Sequence, residues 1–479
     1  MNDDMPEYGA VSLPMIPSNS ESPKLLPDST KDGHASITSS VTNLSNTILG
    51  AGALAFPSAF AAMGMLPGAL SCAFSGATAM FGLYLLSRCA TIVGTQPGHE
   101  GRKASFNEIA RLTFGKGWAI RAFDLAIAIK CFGVSVSYLI ICKTLLPQVC
   151  NTIANIFHHP LAQDSIFLAS HFWLIVWMVI ITPLSFMRTL DSLRFTSQIA
   201  LLTVIYLLVV VVGWYFVKGV SPERGQVVPF RWDKNTLSSF PVQVFAYTCS
   251  QNLFPIYNEL KNKSQKKMNT VIVVSIGSAI CVYQIGIIGY LTFGSKVSSN
   301  IIAMYPATTL FVAIGRLGIV MLVGLSYPLQ LLPCRASLHH LTHGLFKQQD
   351  HSAGGPDDSM IQANDDDDSD GEEDPLVPSE NASLHPKHEP LSMQFLALTL
   401  GILISGFLIA YNVHELNIVL SFVGSTGSTI ISFILPGFFY FFLFRQEPGN
   451  TKWYALALGI YGMFVMLFCL SFNIINLVK

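Results

Sequence analysis

Long, almost uninterrupted runs of apolar residues alternate along this chain with shorter polar segments. Each run is about 20 residues long, which is what an α-helix needs to cross the hydrocarbon of a bilayer. Eleven are read, at approximately 37–62, 66–90, 122–147, 168–187, 197–217, 238–258, 269–293, 307–334, 391–411, 416–444 and 453–475. Two stretches stand outside the pattern. Residues 1–36 are polar and rich in Pro and Ser, and are expected to form a disordered cytosolic tail with no cleavable signal peptide. Residues 342–390 are expected to form an acidic, disordered cytosolic loop. The pattern predicts an all-α polytopic membrane protein, with helices 1–8 over 37–341 and helices 9–11 over 391–479.

The first and sixth runs are interrupted. In "SNTILGAGALAFP" (Ser45 to Pro57), Gly50 and Gly52 flank Ala51. Glycine weakens a helix by about 1 kcal/mol relative to alanine, so unwinding there is cheap. Unwound backbone at membrane depth is tolerated only when buried in protein or facing a wet cavity. The N–H groups that open the second half-helix then suit a carboxylate. The carbonyls that end the first half suit a cation, and Asn46 and Thr47 add polar groups just before the break. Small residues also suit close helix packing, and this segment alone leaves both readings open. The sixth run, "VFAYTCSQNLFPIYNELK" (Val244 to Lys261), places Thr248, Cys249, Ser250, Gln251 and Asn252 in mid-span. Pro255 follows and removes a backbone hydrogen bond. Interruptions in the first and sixth helices are what a five-plus-five inverted repeat predicts for a secondary transporter.

Composition sharpens the picture. Of 479 residues, 51% are hydrophobic and 12% charged, against roughly 25% charged in soluble domains. The net charge of −1 decides nothing, but the placement of the charges does. With a cytosolic N-terminus, 19 of the 28 Lys and Arg residues fall on the cytosolic side and six on the other. The remaining three, Lys130, Lys143 and Arg316, fall inside runs. This bias predicts a cytosolic N-terminus and a C-terminus on the far side. The segment at 218–237, with Lys218, Arg224, Arg231 and Lys234, runs against it. The sequons at Asn43, Asn262 and Asn381 fall in a span or on the cytosolic side, so none is expected to carry a glycan. The nine cysteines are scattered with no CxxC, and no disulfide framework is expected. No Walker motif, nucleophile elbow or HExxH is present, so no enzymatic activity is expected.

Four stretches carry a resemblance. "NLSNTILGAGALAFPSAFAAMG" (Asn43 to Gly64) closely resembles the first span of the amino acid/auxin permease family, and "FAYTCSQNLFPIYNELK" (Phe245 to Lys261) resembles its sixth. "IAIKCFGVSVSYLII" (Ile127 to Ile141) resembles the third, and "SYPLQLLPCR" (Ser326 to Arg335) the end of the eighth. The resemblance covers nearly all of residues 37–475, and its nearest branches are the fungal vacuolar amino acid transporters and the animal sodium-coupled neutral amino acid transporters. It implies a LeuT-type fold with eleven spans, and symport or antiport of amino acids driven by protons or sodium. It implies that the first-span break holds the substrate backbone at Gly50, Ala51 and Gly52, with Thr47 beside them. Phe245, Tyr247, Thr248 and Cys249 would line the side-chain pocket. Asn46 matches an asparagine tied to cation binding in the sodium-coupled branch, and Ser326 matches its hydroxyl partner; the neighbouring Gly324 has no hydroxyl. The sodium-coupled branch tends to have His-Pro after the cysteine, where this chain has Ser250-Gln251. Its lumenal disulfide has no counterpart either, because 219–237 contains no Cys. The departure at Ser250-Gln251 leans towards the vacuolar, proton-coupled branch.

A charge within a span is a functional candidate by default. Lys130 is read either as an ion-coupling group that titrates when desolvated or as a structural lysine that snorkels or pairs. Glu259 is read as paired at a cytosolic gate, and Arg316 as an outer gate or a structural anchor. His339 and His343 have the spacing of two metal ligands, but with no third ligand nearby a solvated helix end is expected. No metal or cofactor is expected, the coupling ion being H+ with Na+ as the alternative. "NDDDDSDGEED" (Asn364 to Asp374) reads as an acidic linker, and Ser369 as an acidophilic phosphosite. In the tail, "ESPKLL" (Glu21 to Leu26) fits an acidic dileucine signal for sorting adaptors through Glu21, Leu25 and Leu26, and "YGAV" (Tyr8 to Val11) fits a tyrosine-based one.

The expected function is therefore proton-coupled secondary transport of neutral amino acids across a vacuolar or lysosome-like membrane, by alternating access. A sodium-coupled plasma-membrane carrier and a non-transporting amino acid sensor are the alternatives. The expected partners are the amino acid, membrane lipid and sorting adaptors, with no nucleic acid.

Overall fold

Hydrocarbon offers no water to satisfy backbone N–H and C=O groups, so apolar segments of this length fold as helices. The computed structural model describes residues 33–93, 103–115, 118–159, 161–186, 193–232, 234–307, 309–352 and 393–478. The tail signals with Glu21, Leu25 and Leu26, the Asn364–Asp374 run, Ser369 and the Asn381 sequon lie outside the described residues. Among the described residues all regular structure is helical, apart from one isolated parallel bridge between Ala35 and Leu260.

The first run is split into α1 (Ile37–Ile48) and α2 (Ala51–Met63), which meet at 53°. Then come α3 (Met65–Ala90), the short α4 (Phe106–Phe114), α5 (Trp118–Ile156), α6 (Ser170–Ser185) and α7 (Leu193–Lys218). The sixth run is also split, into α8 (Lys234–Ala246), a 3-10 turn (Ser250–Asn252) and α9 (Leu253–Glu259). After it follow α10 (Gln265–Phe293), the single-turn α11 (Ile301–Met304), α12 (Leu310–Ser352) and α13 (Met393–Asn412). The tenth run is continuous but changes pitch: α14 (Leu416–Val423), π-helical segments at Gly424–Ser428 and Ile430–Ile434, then α15 (Leu435–Leu443). Helix α16 (Thr451–Val478) is the last.

Among the described residues eight helices are long and apolar enough to cross a membrane, and the bent pair α1–α2 makes a ninth. Helix α6 is shorter. The α8–α9 pair is cut into pieces too short to pass singly. Eleven crossings would require both of these to span as well.

Burial shows what lies at the centre. The apolar stretch of α5 is 83% buried, whereas those of α7, α10 and α16 are each 33% buried. Helix α5 packs along α12, α1 and α2 pack on α10, and α8 packs on α2 and α14. The outward faces of the peripheral helices carry exposed apolar side chains such as Val179, Leu202, Leu408 and Phe464, as a lipid-facing surface requires.

The segment between α7 and α8 is strapped across the helix ends. Met65 and Leu66 donate to the carbonyls of Val228 and Pro229 at 3.2 and 3.0 Å, and Arg231 N–H donates to Met63 at 2.9 Å. On its other side, Gly225 and Ser295 exchange backbone bonds with Phe293 and Gln226 at 2.9 and 3.0 Å. The Arg231 guanidinium donates to the Ala61 carbonyl at 3.1 Å, where a cation answers the negative end of α2. One of the four basic residues that run against the charge bias therefore serves as a helix cap. At Gly64 the backbone turns with φ +85°, and a Cβ would lie 2.9 Å from Phe230 Cα.

Candidate functional site

The break between α1 and α2 is built from its backbone. Leu49 N–H still reaches Ser45 O at 2.8 Å, but Gly50 N–H folds back onto Ile48 O at 2.8 Å. Gly50 then departs from helix at φ −116° and ψ −135°. Helix α2 restarts with Ala53 N–H on Gly50 O at 3.1 Å. The amides of Ala51 and Gly52 open α2 with no intrahelical acceptor, at its positive end. Gly52 lies against the end of α8: a Cβ there would be 2.5 Å from Ala246 Cβ and 2.8 Å from Ala246 Cα. Gly50 faces space instead, its nearest neighbour being Tyr138 Oη at 4.0 Å.

Helix α8 ends in the same way. Thr248 N–H tightens onto Phe245 O at 3.0 Å, and Asn252 N–H onto Cys249 O at 3.0 Å. The two breaks are tied to each other. Asn252 Nδ2 donates to Thr47 Oγ1 at 2.7 Å, and Thr47 in turn donates to Asn43 O at 3.0 Å. Thr248 Oγ1 donates to Val244 O at 2.8 Å and receives Ser432 Oγ from the π-helical run at 3.4 Å.

Between the breaks lies a small cavity. Thr47, Ile48, Ala51 and Gly52 form one wall and Phe245, Ala246 and Thr248 another. Lys130, Val134 and Tyr138 of α5 and Gln330 of α12 complete it. Its free room is about 20 Å³, the scale of one or two waters, so the site must widen to admit any organic ligand. Lys130 is 3% exposed, and its ammonium lies 3.5 Å from Gln330 Oε1. Helix α5 is pressed against the π-helical segment here, since a Cβ on Gly427 would be 2.9 Å from Lys130 Cβ. The cavity thus offers helix-opening amides, carbonyls at two helix ends, hydroxyls and one ammonium. No carboxylate lines it.

Six of the eleven residues named from the sequence meet in this cavity: Thr47, Ala51, Gly52, Phe245, Thr248 and Lys130. The other five do not line it. Gly50 sits at the break itself, and Asn46 is half-buried one residue before Thr47. Tyr247 turns away, its hydroxyl 3.2 Å from Cys72 Sγ. Cys249 is fully buried at the start of the 3-10 turn. Ser326 is half-buried on α12, one helical turn before Gln330. Beside it, a Cβ on Gly324 would be 2.5 Å from Cζ2 of Trp177, so that ring takes the space a hydroxyl side chain would need.

Sequence reading passed over Val134, Tyr138 and Gln330, as well as Ile48 and Ala246 at the breaks themselves. The first two lie four and eight residues after Lys130, and the third four after Ser326, so helical spacing alone puts them on the same faces. The other two cations within the spans, Lys143 and Arg316, have structural partners. Lys143 donates to the carbonyls of Ala410 and of Val413, the latter at 2.8 Å. Arg316 donates to Ile302 O at 3.3 Å and to Tyr305 O, which makes it an anchor for α11. Asp124 and His340 approach to 3.7 Å between α5 and α12.

Comparison with known proteins bears on this arrangement. The family model described as transmembrane amino acid transporter protein matches residues 33–478. Vacuolar amino acid transporter 5 of Schizosaccharomyces pombe is 37% identical over 458 residues, covering 93% of this chain and 96% of its own length. Vacuolar amino acid transporter 6 of Saccharomyces cerevisiae is 36% identical over 468 residues, covering 91% and 98%. Among solved structures, MhsT in complex with L-phenylalanine superimposes with a TM-score of 0.51 at 12% identity, over 93% of this chain and 99% of that one. Mhp1, a nucleobase-cation-symport-1 family transporter in a closed conformation with bromovinylhydantoin bound, gives 0.52 at 12% identity, over 93% and 90%. At that identity the likeness concerns the fold, which is the LeuT type with helices one and six broken at the centre.

Proposed function

The chain belongs to the transmembrane amino acid transporter family, and from that premise we propose that it is a secondary active amino acid transporter of the vacuolar membrane. The observation that carries this reading is the cavity, in which the amide-bearing start of α2 faces the carbonyl-bearing ends of α1 and α8. A zwitterion matches that pairing: its carboxylate meets the Ala51 and Gly52 amides beside Gly50, and its ammonium meets the carbonyls. The relatives named as vacuolar amino acid transporters support both the cargo and the membrane. Ile48, Val134 and Phe245 give the pocket an apolar lining, which supports neutral side chains as cargo.

Transport proceeds by alternating access, the broken pairs rocking against the remaining helices. Lys130 is the candidate coupling group, because an ammonium in the cavity wall with a neutral partner can exchange a proton as the site wets and dries. Asn46 and Ser326 are the residues a sodium-coupled carrier would use. The charge bias supports a cytosolic N-terminus, with Glu21, Leu25 and Leu26 available there to sorting adaptors.

The test is uptake of a labelled neutral amino acid mixture into liposomes holding the purified protein, under an imposed pH gradient, with and without sodium. Uptake that follows the pH gradient and ignores sodium is expected. Sodium-dependent uptake would move the coupling site to Asn46 and Ser326 and the protein towards a plasma-membrane carrier. Binding without uptake would make it a sensor.

A further inference from the structure

Tyr283 stands on α10, outside both breaks and outside the cavity lining. It is 1% exposed. Its ring lies nearly flat on Phe56, with centroids 4.1 Å apart and planes 17° apart, and meets Tyr247 edge-on at 5.1 Å. These contacts aim the hydroxyl at one place. It lies 2.7 Å from the carbonyl oxygen of Ile48 and 3.0 Å from that of Ala246. Ile48 is the last residue of α1 and Ala246 the last of α8, and both line the cavity. Each carbonyl therefore stands at the negative end of a half-helix. Two such oxygens repel each other, and an O–H set between them is what lets them converge.

We propose that Tyr283 is a positioning residue for the substrate's amino group. Its hydroxyl holds the carbonyls of Ile48 and Ala246 at the spacing an ammonium requires, and so sets the preference for a free amine. This deepens the transporter reading and rests on it. A hydroxyl has one proton and satisfies one acceptor well at a time. One of the two oxygens is thus always left with capacity for an N–H from the ligand. The glycine opposite fits the same purpose, since a Cβ at position 52 would press on Ala246 and come within 3.6 Å of the Tyr283 hydroxyl.

The full chain in liposomes provides the test. Tyr283→Phe keeps the stacked ring and removes only the hydroxyl. Tyr305→Phe is the matched control, a buried tyrosine whose hydroxyl has no hydrogen-bond partner among the described residues. The probes are the best transported amino acid and its N,N-dimethyl counterpart. Tyr283→Phe is expected to raise KM about tenfold, the worth of one well-placed hydrogen bond. Maximal rate per folded transporter should stay near wild type, and the preference for the free amine should fall by the same factor as KM rises. Tyr305→Phe should change neither. The proposal is overturned if Tyr283→Phe leaves KM and amine preference unchanged, or lowers only the maximal rate. It is equally overturned if that variant fails to accumulate while Tyr305→Phe accumulates, for the hydroxyl would then be a folding determinant. A wild-type protein that neither transports nor binds any amino acid would sink the transporter reading instead, a result distinct from all of these.

Discussion

Two glycines two residues apart do different work. Gly52 lets α2 touch the end of α8, and Gly50 sits at the break with open space before it. Gly52→Val should therefore wedge the two breaks apart and reduce uptake to background in protein that still inserts into the membrane. Normal uptake by a well-expressed variant would refute the placement of the site. Gly50→Ala, whose methyl would find only Tyr138 Oη at 4.0 Å, should keep most of its uptake in the same assay. Glycine spacing made this break legible, because little else interrupts an apolar helix so cheaply. The partner of Gly52 was not legible: Ala246 lies 194 positions along the chain, and only the fold brings it near. The same limit hid Tyr283, a tyrosine in an apolar run with nothing local to mark it. It also hid the reason for Gly324, which is the Trp177 ring on another helix.

Helix ends explain the buried cations that the cavity does not use. Lys143 crosses from α5 to the carbonyls of Ala410, in the last turn of α13, and of Val413 just beyond it, a favourable place for a positive charge. Lys143→Met should lower the thermal stability of the detergent-solubilised protein by about 1.5–3 kcal/mol, the range for hydrogen bonds to a charged group. Uptake per folded molecule should not change; a selective loss of uptake with full stability would assign Lys143 to the transport path instead. The broken helices one and six were readable from polar and glycine-rich interruptions, but the π-helical stretch at Gly424–Ile434 was not. Its segment, "GSTGSTIISFI", holds no proline. The cause is tertiary, since Gly424 packs on the Pro241 carbonyl and Gly427 on the Ala126 carbonyl. A wider turn lets both backbones approach, as π-bulges do elsewhere.

Taken whole, the molecule is a central helix, α5, walled by α12, α6, α13 and α14, with a strap at 219–232 drawn across one end. The apolar runs foretold the helices, because run length is a direct property of sequence. Which run lies innermost was not foretold, since a lipid-facing and a buried apolar helix have nearly the same composition. The strap was visible only as a misplaced group of basic residues. Gly64→Ala should loosen it, because the left-handed turn and the approach of Phe230 leave no room for a methyl. Faster proteolysis within 219–232 and a lower melting temperature are expected, and an unchanged cleavage rate would show that the strap is held by its other bonds. At the other end of the sixth helix, Ala35 N–H donates to Glu259 O at 2.8 Å and Lys261 N–H returns to Ala35 O at 3.0 Å. Those two bonds make a coupling rod. A pull on the chain ahead of residue 33, from a fusion partner or an affinity resin, would reach the foot of α9 through them. Tags placed at the opposite terminus avoid that leverage.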